Sequence, residues 1–180
     1  MSSAGTMERV AEWSPRLKAR MAGALYFFSL LTAASGELVF HGRVAIALGL
    51  IAVSMMVGMT LLLYDILASV SQSLSLLAAF INLVGLSFEA LRWNPGGVDI
   101  ALVFTGINHL LVGSLIFRST FLPRVLGVLM AVAGLAWITY LSPSLANNLS
   151  PYNTASGLLG EGSVMLWLLV MGVRTKGVGR

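Results

Sequence analysis

The stretch Phe104 to Trp137, FTGINHLLVGSLIFRSTFLPRVLGVLMAVAGLAW, leaves a chain few ways to fold. It holds two apolar runs, each close to the ~20 residues a helix needs to cross the hydrocarbon core of a bilayer. A short turn carrying Arg118 and Arg124 joins them. Backbone immersed in lipid must satisfy its own hydrogen bonds, so the pair reads as a transmembrane helical hairpin. Inner loops collect Lys and Arg, and the two arginines mark this turn as cytoplasmic.

The rest of the chain repeats the pattern. With 57% hydrophobic and 10% charged residues over 180 positions, and a mean hydropathy of +0.89, it is too apolar for a soluble domain. The apolar runs predict an all-α integral membrane bundle of six transmembrane helices, at about residues 21–36, 44–64, 73–93, 98–117, 123–141 and 155–173. Residues 1–20 are expected as a cytoplasmic or interfacial segment and residues 174–180 as a basic cytoplasmic tail, with no soluble domain attached. With the N-terminus inside, nine Lys and Arg fall on the inner side and two, Arg43 and Arg92, on the outer side. That imbalance predicts both termini in the cytoplasm.

The formal charge of +4 does not point to nucleic acid, because the basic residues are scattered between apolar runs instead of gathered on one solvated face. The lipid bilayer is the partner the composition demands. There is no cysteine, which removes disulfides, thiol catalysis and thiolate metal sites. No Gly-rich phosphate loop, heptad or internal repeat occurs, and no cofactor is expected.

Local signals refine the spans. Val10, Trp13 and Leu17 recur at helical spacing, predicting a short interfacial helix with Trp13 at headgroup level, cut to a turn or two by Pro15. The basic residues ahead of Met21 to Gly36 also have the form of a secretory signal. Against that stand the acids of the leading segment and the stripe Tyr26, Ser29, Ala33 and Gly36, which suits packing against another helix. Gly49, Ser54 and Gly58 in the second span, and Gly127, Ala131 and Gly134 in the fifth, predict close helix approach. Pro123 suits a first helical position, and Ser142 to Thr154 reads as an uncharged loop.

The run GINHLLVGSLIFRSTFLPRVLGVLMAVAGLAWI at residues 106–138 resembles a segment of the bacterial family called domain of unknown function 4386. Gly160, Glu161 and the following LWLLVMGV at 166–173 are similar to a second segment of that family, and the starts and ends of the first two spans follow its pattern. The resemblance implies a polytopic protein of the bacterial inner membrane with no assigned activity, and it supplies no catalytic residues. It also implies that this chain is trimmed between spans one and two and between spans three and four.

Polar groups inside the spans carry whatever chemistry the chain has, since an ionisable side chain in the bilayer costs about 2.5–3.5 kcal/mol or more. Glu161, about six residues into the sixth predicted span, has no basic residue within two turns on its own helix. It needs an interhelical partner, water or a proton. His109, near the middle of the fourth span beside Asn108, is the nearest candidate partner. Asn82, Gly85, Glu89 and Arg92 share one face of the third span, so Glu89 is expected to pair with Arg92 one turn away. Asn82 and Asn108 suit interhelical hydrogen bonds. Zinc held by His109, Glu89 and Glu161 would be chemically sensible, but the spacing signature is missing and no metal is expected. Ser114 and His109 lie on different helical faces, which sets aside a serine nucleophile.

Two roles fit these features. One is a small proton-linked or solute transport module with a polar pocket between spans three, four and six. The other is a non-catalytic assembly protein that self-associates or binds a membrane partner through its small-residue faces. An intramembrane enzyme is a third, with no catalytic motif in its favour.

Overall fold

The computed structural model describes residues 14–173, and among these the only regular structure is helical. Six long helices are joined by short connections: α1 (Pro15–Leu38), α2 (Arg43–Leu67), α3 (Gln72–Leu91), α4 (Ile100–Arg118), α5 (Arg124–Ile138) and, after the short α6 (Pro143–Leu149), α7 (Tyr152–Val170). Five helices are long and apolar enough to cross a membrane: α1 to α4, and α5 taken with the 3-10 turn that extends it to Leu141. The sixth long helix, α7, has 19 residues, enough length to span. Asn153, Glu161 and its glycines dilute its apolar character, so it falls outside that group.

Each long helix packs on its neighbour in the chain, and α7 packs back on α1, so the six close into a ring. The outward faces are apolar: Phe28, Leu31, Ile51, Leu61, Phe80, Val132, Leu135 and Leu159 are all exposed. A chain that turns large apolar side chains outward and buries Ser29, Asn82, Asn108, His109 and Glu161 is built for lipid, not water.

Glycines set the closest approaches. On α4 and α5, Gly106 faces Gly134 and Gly113 faces Gly127, in antiparallel register. A Cβ on Gly113 would lie 2.8 Å from the Gly127 carbonyl oxygen, so the two backbones touch with no room for a side chain. The packing expected of Gly127 and Gly134 is present. In α2 the expected positions divide: a Cβ on Gly58 would lie 3.2 Å from Leu25 Cδ1 of α1, a close approach, whereas Ser54 is exposed and donates to the Leu50 carbonyl of its own helix at 2.8 Å. Ala45, Ala52, Met59 and Thr60 turn inward instead.

Three local expectations change. Pro15 opens α1 instead of limiting an interfacial helix; Ser14 caps that helix through the Leu17 amide at 3.2 Å, and residues 15–20 become the first turns of the span. The geometry agrees with proline's preference for an unpaired first turn. Trp13 lies outside the described residues. Pro123 precedes α5 as its N-cap. The segment after Leu141 is not plain loop, because Ser142 caps the seven-residue α6.

The two ends of the bundle differ in charge. At one end lie Arg16, Lys18, Arg20, Arg118 and Arg124; Lys18 pairs with Asp65, and Arg20 donates to the Val170 carbonyl at 3.2 Å. At the other lie Arg43 and Arg92 with Glu37, Glu89 and Asp99.

Candidate functional site

His109 is the central residue of α4 and Glu161 the central residue of α7. Each stands roughly 13 Å from either end of its helix, so the site sits deeper than the sequence suggested for Glu161. The ring brings them together: His109 Nε2 is 3.7 Å from Glu161 Oε1, with both side chains buried. At that distance the contact is electrostatic rather than a hydrogen bond. Glu161 Oε1 instead accepts a 2.6 Å hydrogen bond from the indole N–H of Trp137 on α5, and the Tyr26 hydroxyl of α1 faces the same carboxylate. Nδ1 of His109 is buried and has no hydrogen-bond partner.

Local sequence explains this convergence. Gly157 lies one turn before Glu161 on α7, and the Trp137 ring occupies the space a Cβ there would take. The bare backbone lets the indole lie flat on α7 with its N–H directed at the next turn. Gly160 admits α5 in the same way, its missing Cβ standing 2.6 Å from the Leu129 carbonyl.

A polar ladder leads sideways from the pair. Asn108 Nδ2 donates to Asn82 Oδ1 at 3.3 Å, Asn82 Nδ2 to Thr60 Oγ1 at 2.6 Å, and Thr60 to the Met56 carbonyl at 2.7 Å. It links α4, α3 and α2. The interhelical role expected of Asn82 and Asn108 is thus visible, with Thr60 as the terminus that sequence reading passed over.

These groups line a cavity of about 220 Å³ at the centre of the ring, to which all six long helices contribute. Its polar wall includes Tyr26, Asn82, Glu89, Asn108, His109, Trp137 and Glu161, and its apolar wall Leu30, Met56, Met59, Leu63, Met130 and Val164. A larger recess of about 630 Å³ opens at the acidic end of the bundle, between α1, α2, α3 and the start of α4, and holds Glu37, Glu89, Arg92 and Asp99. Ala33 and Glu89 line both spaces. Glu89 therefore stands where recess meets cavity.

The expected Glu89–Arg92 pair does not form. Arg92 ends α3 in the left-handed region at φ 49°, which swings its side chain away from the helix face, and its guanidinium meets Glu37 of α1 at 3.2 Å. Ser114 bonds back to the Leu111 carbonyl at 2.7 Å. Among the described residues no three His, Asp or Glu side chains converge as metal ligands. His109 and Glu161 meet; Glu89 stays apart. Arg118 and Arg124 lie at the α4–α5 turn, Arg124 with its guanidinium 5.8 Å from the Phe117 ring centre.

Sequence reasoning missed Tyr26 and Trp137 as site residues. Tyr26 appeared only as part of a packing stripe, and Trp137 only as the end of an apolar run. The Gly157 and Glu161 spacing was the available signal for a flat ring between α5 and α7.

Residues 86–172, a segment just under half of the chain that contains Glu89, Asn108, His109, Trp137 and Glu161, match the family model described as Domain of unknown function (DUF4386). This segment is a DUF4386 domain. No curated protein and no solved structure matches it. The matched region spans α4 to α7 and the last turns of α3, so the DUF4386 segment carries His109 and Glu161 while Tyr26, Thr60 and Asn82 come from outside it.

Proposed function

We propose that this chain is a six-span protein of the bacterial inner membrane, with both termini cytoplasmic, and works as a small proton-linked transport module. The observation that carries the reading is the buried His109–Glu161 pair at the midpoint of two spans, opening on a cavity shared by all six helices. An acid and an imidazole so placed can hold and pass one proton between them. Polar side chains that serve only to hold a membrane bundle together hydrogen-bond across helices; here Nδ1 of His109 has no such partner. The titratable groups that line the cavity with Glu161 are Tyr26 from α1, Glu89 from α3 and His109 from α4, while α2 and α5 offer none. With the basic end inside, the acidic recess faces outward and Glu89 stands on the route from it to the pair.

The test is proton flux in proteoliposomes carrying a trapped pH indicator under an imposed pH gradient. Wild-type vesicles should lose the gradient faster than empty ones, and Glu161→Gln and His109→Ala should return to the empty-vesicle rate. Wild-type vesicles as tight as empty ones, or variants as leaky as the wild type, would refute the reading.

A further inference from the structure

We infer that the central cavity binds a protonated primary or secondary amine carrying an apolar group, with Glu161 as its counter-charge and His109 Nδ1 as acceptor for its N–H. This names a cargo class for the transport site proposed above and rests on that reading. Charge argues for it first. Every Lys and Arg among the described residues lies at an end of the bundle, so Glu161, 7% exposed, has no permanent cation beside it. A buried carboxylate without one is costly, and a cationic ligand supplies what the fold omits.

Hydrogen bonding argues the same way. His109 Nε2 faces a carboxylate, so in the neutral ring it carries the proton and Nδ1 presents a lone pair. That atom is buried, unpartnered and part of a ring lining the cavity. The N–H donors beside the pair are engaged: Trp137 Nε1 bonds Glu161, and Asn108 Nδ2 bonds Asn82. The Ser29 and Thr105 hydroxyls that also line the cavity can accept as well as donate. What the pair itself offers a guest is therefore acceptors, which suits a guest that donates.

The walls choose among cations. A hard metal ion wants a shell of oxygen ligands, whereas this cavity is walled largely by Leu, Val and three Met, and no metal-binding cluster occurs among the described residues. Tyr26 and Trp137 present aromatic surface of the kind that attracts an organic cation. About 220 Å³ is room for a small aralkyl amine. The rim is acidic too, with Glu37, Glu89 and Asp99 set against Arg92, which raises the local concentration of cations. An ammonium and a proton would compete for the Glu161 carboxylate, and that competition is what links cargo to proton.

The experiment is isothermal titration calorimetry on the full chain in a non-ionic detergent, with benzylamine, benzyl alcohol and benzyltrimethylammonium as probes. Benzylamine should bind saturably. The neutral alcohol should bind roughly tenfold to hundredfold more weakly, as expected for losing a hydrogen bond to a charged group. The trimethyl analogue, which keeps the charge but lacks the N–H, should fall between them. Glu161→Gln should lose the preference for amine over alcohol. Equal binding of amine and alcohol by the wild type overturns the inference with no variant needed, as does an amine preference that survives in folded Glu161→Gln. Sodium chloride in place of benzylamine should give no saturable heat, and saturation by sodium would also overturn it. Proton flux without amine selectivity would sink the cargo assignment alone; amine selectivity without proton flux would sink the proton-linked reading and leave the binding site standing.

Discussion

At the scale of single residues, the indole of Trp137 organises the site. It lies on the bare backbone of Gly157 and donates to Glu161. Removing the donor while keeping the ring, Trp137→Phe, should destabilise the fold by about 1–3 kcal/mol, because one buried carboxylate oxygen loses its shortest bond. Thermal unfolding in detergent checks the loss, and an unchanged Tm would mean the bond contributes nothing. Gly157→Ala tests the same contact from the other side, since a methyl there runs into the ring. It should lower Tm and also change the environment of Trp137, read as a shift in fluorescence emission against Trp137→Phe. Much of this site was legible beforehand. An unpaired acid and a lone imidazole inside apolar spans are conspicuous because lipid makes them expensive. Trp137 was not conspicuous, because an indole is apolar enough to end a span unremarked and its N–H acquires meaning only once α5 meets α7. The Glu89–Arg92 pair failed for a local reason that helical periodicity cannot contain: Arg92 has already left helical geometry.

At the scale of elements, α4 and α5 are held by backbone contact rather than side-chain interdigitation. Gly106 with Gly134 and Gly113 with Gly127 stand at the same seven-residue spacing on both helices. The obstacle to a larger residue at Gly113 is the carbonyl oxygen of Gly127, which cannot turn aside as a flexible side chain could. Gly113→Ala should therefore cost about 1–3 kcal/mol, in the range for overpacking. Gly162→Ala is the control: it has open space around it, and alanine is the better helix former, so its Tm should hold or rise slightly. Equal effects at the two positions would mean that the close approach is not what stabilises the hairpin. Here the sequence was a good guide in α5 and a partial one in α2, where Gly58 meets Leu25 of α1 and Ser54 does not pack. Glycines in an apolar run mark contact reliably when a neighbouring helix has matching glycines. Ser54 misleads because a serine can satisfy itself on its own helix and face outward.

At the scale of the whole molecule, ring closure and charge asymmetry belong together. Closing α7 on α1 surrounds the central cavity with all six long helices, and the recess opens at the end that holds Glu37, Glu89 and Asp99. No sequence pattern announces that α7 is α1's neighbour; it follows from Gly23, where a Cβ would lie 2.5 Å from the Leu169 amide nitrogen and so requires the two backbones to meet. The span count and orientation are the part of the proposal on which the outward recess depends, and α7 is the helix at issue because its polar centre lowers its apolarity. The chain contains no cysteine, so one introduced thiol reports one position without further engineering. Thr120 lies exposed at the α4–α5 turn, Asn94 exposed between α3 and α4, and Ser144 exposed on α6. In intact cells a membrane-impermeant maleimide should label Asn94→Cys and Ser144→Cys, and should reach Thr120→Cys only after permeabilisation. Labelling of Thr120→Cys in intact cells, with the other two protected, would invert the protein and turn the acidic recess toward the cytoplasm. Labelling at Ser144→Cys carries the most weight, because α6 lies on the outer side only if α5 has crossed, and the basic tail can then return to the inner side only through α7.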